Sequence, residues 1–123
     1  MTYLINFGHP LSAEALTALE SYGVQEGTVI DIRVQLDMNA PLAPQMEKIA
    51  DDIPFDQQRW ATEPVLVCLP GASVAAGLIL AIFHGRMGGF SRVISLNRGE
   101  DGIFRLAEVI DLQFVRNHAR LSR

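Results

Sequence analysis

The stretch Val65–Phe83, VLVCLPGASVAAGLILAIF, carries no charged side chain, and its interior decides between a membrane span and the middle of an α/β fold. A spanning helix needs about 20 predominantly apolar residues, so length alone permits either reading. Pro70-Gly71 separates them, because inside a continuous helix the proline removes a hydrogen bond and clashes with the preceding turn. The run therefore splits in two. Val65-Leu66-Val67-Cys68-Leu69 reads as a strand buried on both faces of a sheet. Ala72 to Phe83 reads as a helix, closed by His84-Gly85, a cation-capable residue followed by a glycine. About a dozen residues are too few to cross a bilayer, so no membrane partner is expected.

Working outward toward the N-terminus, Tyr3-Leu4-Ile5-Asn6-Phe7 reads as the first strand and Gly8-His9-Pro10-Leu11 as the turn leaving it. Ser12 is a candidate N-cap for a helix from Ala13 to about Tyr22, which Gly23 ends. Thr28 to Leu36 alternates, with Ile30, Ile32, Val34 and Leu36 on one side, and reads as the second strand. The prolines of Asp37 to Pro44 make that segment a loop, and a helix from about Pro44 to Asp52 uses Met46, Ile49 and Ala50 as its apolar face before Pro54 stops it. Phe55 to Glu63 is polar around Trp60 and reads as a short helix or loop whose indole plugs the core edge.

Toward the C-terminus, Met87-Gly88-Gly89-Phe90 forms a turn, and Arg92–Leu96 and Phe104–Ile110 read as strands of a hairpin around Asn97–Gly102. The tail from Asp111 or Leu112 to about Leu121 reads as a helix. Strands alternating with helices imply a mostly parallel sheet with helices on both faces, and the hairpin adds an antiparallel edge. The expected fold is a single Rossmann-like α/β domain spanning residues 1–123.

Composition narrows the function classes. The chain has 49% hydrophobic and 20% charged residues, a globular balance. Ten basic residues stand against fourteen acidic, a net charge of −4, so general binding to DNA or RNA is not expected. Nine of the ten basic residues are arginine, the side chain suited to bidentate phosphate recognition, so a small anionic ligand is compatible with this charge. The single cysteine, Cys68, excludes a disulfide framework, reads as a small buried hydrophobe and points to a reducing cytoplasm. Met1-Thr2-Tyr3 runs straight into a strand pattern, so no secretory leader is expected.

Open parallel sheets bind ligands outside the carboxyl ends of their strands. Three segments converge on that rim: Asn6 to Ser12, Asp37 to Gln45, and Pro70-Gly71-Ala72-Ser73. Each leads into a helix whose first N–H groups favour an anion. His9 follows a strand directly and is either a surface-turn histidine or a donor and acid near neutral pH. His84 is expected to be structural and His118 to lie on a solvated face. Arg33 and Arg92 lie in strands whose facing depends on register, and Arg33 has far to reach to the rim. No GxGxxG, Walker A, metal-spaced His/Cys cluster or Ser-His-Asp order is present, so neither a metal nor a cofactor is expected. Ser73, Gly77, Ala81 and Gly85 recur every four residues along a helix apolar nearly all round, which points to a second subunit covering its outer side.

LINFGHPLS (Leu4–Ser12), VQLDMNAPLAPQ (Val34–Gln45), PGASVAAGLILAIFHGRMGGF (Pro70–Phe90) and AEVIDLQFVRNHAR (Ala107–Arg120) together resemble the fifteenth of the Csx accessory families encoded beside type III CRISPR systems. The resemblance implies a small relative of the CRISPR-associated Rossmann-fold sensor domains, which bind cyclic oligoadenylate messengers, usually cyclic tetra-adenylate, across a dimer interface. It implies a protein that lowers the free messenger and so damps antiviral signalling. It would do so by sequestration or, alternatively, as a metal-independent ring nuclease using in-line attack by a ribose 2′-hydroxyl. By that likeness Asn6, Gly8, His9, Pro10, Leu11, Ser12, Asn39, Gln45, Pro70, Gly71, Ala72 and Ser73 would form the ligand site of a homodimer or larger homo-oligomer. His9 would be catalytic only if the protein is an enzyme. The scarcity of acid and base groups on the rim favours binding over cleavage. A protein-interaction module that binds no nucleotide is the reading from a third class.

Overall fold

A computed structural model describes every residue from Met1 to Arg123. The strands are β1 (Tyr3–Asn6), β2 (Val29–Asp31), β3 (Val65–Cys68), β4 (Arg92–Arg98) and β5 (Phe104–Asp111). The helices are α1 (Ala13–Leu19), α2 (Leu42–Asp51), α3 (Gln57–Thr62), α4 (Ser73–Met87) and α5 (Leu112–Arg120). One five-stranded sheet has the order β2-β1-β3-β4-β5. β1 pairs in parallel with β2 and β3, β3 with β4, and β5 closes the sheet antiparallel to β4. This is a Rossmann-like α/β domain, as the alternation of strand and helix patterns predicts.

The order places β1 and β3 at the switch point, where the chain winds outward in both directions from the centre of the sheet. Right-handed crossovers then put α1 on one face and α2, α3 and α4 on the other. Two cores follow from this. The larger joins Ile5, Val67, Met46, Trp60, Ile79 and Phe83 beneath the three-helix face, and the smaller joins Leu4, Leu19, Val24, Leu66 and Ile94 beneath α1. Leu4 and Ile5, like Leu66 and Val67, are neighbours in sequence that serve opposite cores. That is the demand that makes a central parallel strand continuously apolar.

Three elements differ from the sequence expectation. The second strand stops at Asp31 instead of reaching Leu36. β1, its only partner, ends at Asn6, and the last bond is Ile32 N–H to Asn6 O at 2.9 Å. Ile32, Val34 and Leu36 still pack against the larger core, so the alternation reports burial of extended chain and not pairing. The apolar helix runs through His84-Gly85 to Met87 and ends at Gly88, whose φ of 81° and N–H to His84 O make the left-handed cap. Gly85 sits in open space and is an ordinary helical residue. α2 starts two residues earlier than the expected Pro44, and the segment around Trp60 is a short helix capped by Asp56.

Candidate functional site

β1 ends in a buried asparagine. Asn6 is 1% exposed. Its amide donates to His9 O and to Asp31 Oδ1, both at 2.9 Å, and its Oδ1 accepts the Gly8 N–H at 2.9 Å. Three bonds from one side chain fold the Gly8-His9-Pro10 turn back over the strand end and tie it to β2. Gly8 sits in close quarters, since a Cβ there would lie 3.2 Å from Cys68 Sγ and 3.4 Å from Asn6 Oδ1. Ser12 then caps α1 by accepting the Ala15 N–H, and its hydroxyl donates to Phe104 O at 2.6 Å across 92 residues of sequence. That bond brings the start of β5 over the rim.

Between these segments lies a cavity of about 660 Å³ at the carboxyl ends of β1 and β3. Gly8 to Ser12 form one wall, Ile32, Arg33 and Val34 another, Cys68, Leu69 and Gly71 the floor and far side, and Leu96 and Phe104 the lip. Of the residues the sequence singled out, Gly8, His9, Pro10, Leu11, Ser12 and Gly71 line it, and Asn6 supports it from beneath. Pro70 is buried, and Ala72 and Ser73 are exposed at the start of α4 without lining the cavity. Asn39 is also outside it, as is Gln45, whose side chain accepts the Asp37 N–H and donates to Asp37 O and Pro41 O to brace its own loop.

Arg33 reaches the cavity because β2 ends at Asp31, which puts Arg33 just past the strand's carboxyl end, at the rim. Cys68, expected as a buried hydrophobe, is half-buried on the cavity floor, the last residue of β3. Burial pushes its thiol pKa up, and a backbone hydrogen bond from Gly8 offsets this by less. The thiol is therefore neutral at pH 7 and a poor nucleophile. Phe104, at 41% exposure, is not among the expected rim residues; its pairing with Arg98 at the start of β5 and the Ser12 bond to its carbonyl place it here. His84 lies off the rim, packed edge-on to Phe90 at 4.5 Å. No three His, Cys, Asp or Glu side chains converge as a metal cluster, and no helix is long and apolar enough to cross a membrane.

The lip is held by the hairpin tip. Asp101 accepts from Arg105 through both carboxylate oxygens, at 3.1 and 2.8 Å, and from the Ile103 N–H. Arg105, then Ile103, lower its carboxyl from the ordinary 3.8 to about 2. A lowered pKa means the pair supports the tip above the ordinary carboxylate range and releases it as pH falls through about 2. Carboxylate NMR of the intact protein should show Asp101 titrating near 2. A midpoint near 3.8 would mean the pair is open in solution.

Comparison with known proteins yields no match: no family model fits the chain, and neither a curated protein nor a solved structure is similar to it.

Proposed function

We propose that this protein binds a cyclic oligoadenylate, cyclic tetra-adenylate in the first instance, in the rim cavity and lowers its free concentration by sequestration, damping the signalling of a type III CRISPR system. The observation that carries the reading is the cavity itself, at the switch point where doubly wound sheets take nucleotides. Its volume lies within the roughly 300–1,000 Å³ of ligand pockets, enough for a segment of the ring. Its chemistry suits that segment. The Gly8–Ser12 backbone and Arg33 meet phosphate, and Phe104 offers an exposed aromatic face to a base. The family resemblance supplies the identity of the ligand.

Binding is favoured over cleavage because His9 is the one imidazole lining the cavity, and the Cys68 thiol stays protonated. The test incubates purified protein with excess radiolabelled cyclic tetra-adenylate and reads both a gel shift and denaturing chromatography. A saturable shift with the ring recovered intact supports sequestration. Linear product beyond one equivalent replaces sequestration by a ring nuclease, and then His9→Ala should slow cleavage more than it weakens binding. Neither shift nor product overturns the nucleotide reading for this ring. Base stacking on an aromatic ring contributes about 1–3 kcal/mol, so Phe104→Ala should weaken binding about 5- to 150-fold. Arg33→Ala should weaken it about tenfold, with the salt dependence reduced in parallel. Unchanged affinity in both variants would place the ligand elsewhere.

A further inference from the structure

α5 leaves the sheet after Asp111 with none of its nine residues buried. Only its first turn is tied down, where Leu112 packs against the larger core and Gln113 Oε1 accepts the Phe90 N–H. On the helix, Phe114, Val115, His118 and Leu121 share one half of the circumference with Leu112 and Ala119. Arg116 and Arg120 occupy the flank beyond Ala119. Phe114, Val115 and Leu121 are 68%, 51% and 83% exposed. A helix this short is marginal in water without packing, so its apolar half calls for a partner surface.

Charge indicates which surface. Leu112–Arg123 holds three arginines and no acid, which leaves seven basic against fourteen acidic residues in the rest of the chain, a net charge of −7. A second α5 would meet like charge. An anionic bilayer would attract the arginines but repel the acidic body, and a helix about 14 Å long offers it little apolar area. A second copy of the body has both features the helix lacks a partner for. The outer side of α4 exposes Val74 and Ala81 beside half-buried Leu78 and Ile82. Asp51 of α2 reaches across to Arg86 of α4 at 2.6 Å, so its stripe-mate Glu47, one turn earlier and also exposed, borders the same apolar strip.

We propose that α5 docks through Phe114, Val115 and Leu121 onto the α2–α4 face of a second copy of this chain, reciprocally, with Arg116 and Arg120 beside Glu47 of α2, since Asp51 is already held by Arg86. The contact is independent of the cavity reading, since α5 starts at the amino-terminal end of β4, where Asp111 pairs with Arg92, opposite the rim. It is therefore measured without nucleotide.

Sedimentation velocity of the full chain over a wide concentration range should show a monomer–dimer equilibrium that weakens as salt is raised. Phe114→Glu and Val115→Glu should each raise the dimer dissociation constant about tenfold or more, as should Ala81→Glu on the receiving face. All three positions are exposed, so circular dichroism melts should stay close to the parent's. Mixing Phe114→Glu chains with Ala81→Glu chains leaves one intact contact per pair and should restore part of the association. A monomer at every concentration, a dimer indifferent to Phe114→Glu, or mixing without rescue overturns the proposal. So does a monomer that sediments with phosphatidylserine vesicles.

Discussion

Phe83→Ala should cost about 3–5 kcal/mol, which for a chain of this size lowers the melting temperature on the order of 10–20 °C. Phe83 is fully buried, with its ring 4.9 Å from Trp60 and 5.9 Å from Phe7. It is the residue through which α4, α3 and the chain just past β1 meet. Truncation removes its burial and both aromatic pairs and leaves a cavity that ring-shaped neighbours cannot fill by small rotations. The protein carries its own probe, because Trp60 is the only tryptophan and lies in this cluster. Urea unfolding read by Trp60 emission and by far-UV circular dichroism should give coincident transitions shifted to lower denaturant. Phe83→Leu, which keeps most of the volume, should cost about half as much or less. A loss below about 1 kcal/mol for the alanine variant would show that α4 is not held to the sheet at this point.

That cluster was legible in Val65–Phe83, because the proline splits the run and the apolar content on both sides of the split forces a buried strand against a buried helix face. Legibility failed where an alternating or capping pattern has two causes. Ile32, Val34 and Leu36 alternate because the chain is extended against the core, and nothing local records that β1 has already ended. Gly85 and Gly88 are equally good terminators in sequence. Only the left-handed φ at Gly88 tells them apart. The rim divided in the same way. The Gly8–Ser12 turn was readable because a Gly, a Pro and an N-cap serine follow a strand, whereas Arg33 entered the cavity through the strand's early end and Phe104 through a hydrogen bond 92 residues long in sequence. Gln45 shows the converse error, a polar side chain beside the rim whose hydrogen bonds are all spent on its own loop.

Asn6→Ala should cost about 2–4 kcal/mol and, on the proposed function, abolish measurable ligand binding well below the temperature at which the fold is lost. The magnitude follows from what the side chain satisfies. Its removal leaves the Gly8 N–H and His9 O without their partner beside a strand end that is 1% exposed at this residue. Asp31 loses a donor as well. Because these three bonds hold the turn that forms one wall of the cavity, stability and binding should fall together but unequally, and amide hydrogen exchange should quicken at Gly8, whose N–H loses its acceptor, before it does at Leu4 or Ile5. Asn6→Asp separates hydrogen bonding from shape. It keeps the volume and an acceptor for Gly8 but sets a second carboxylate against Asp31, where burial and like charge raise its pKa. A raised carboxyl pKa makes the folded state take up a proton more readily than the unfolded one, so the penalty is full above the raised pKa and shrinks as pH falls toward the ordinary carboxylate range. The difference in melting temperature between parent and Asn6→Asp should therefore narrow from pH 8 to pH 5. A difference that stays constant over that range would mean that residue 6 in the variant turns away from Asp31, and that the asparagine's hold on the turn is replaceable.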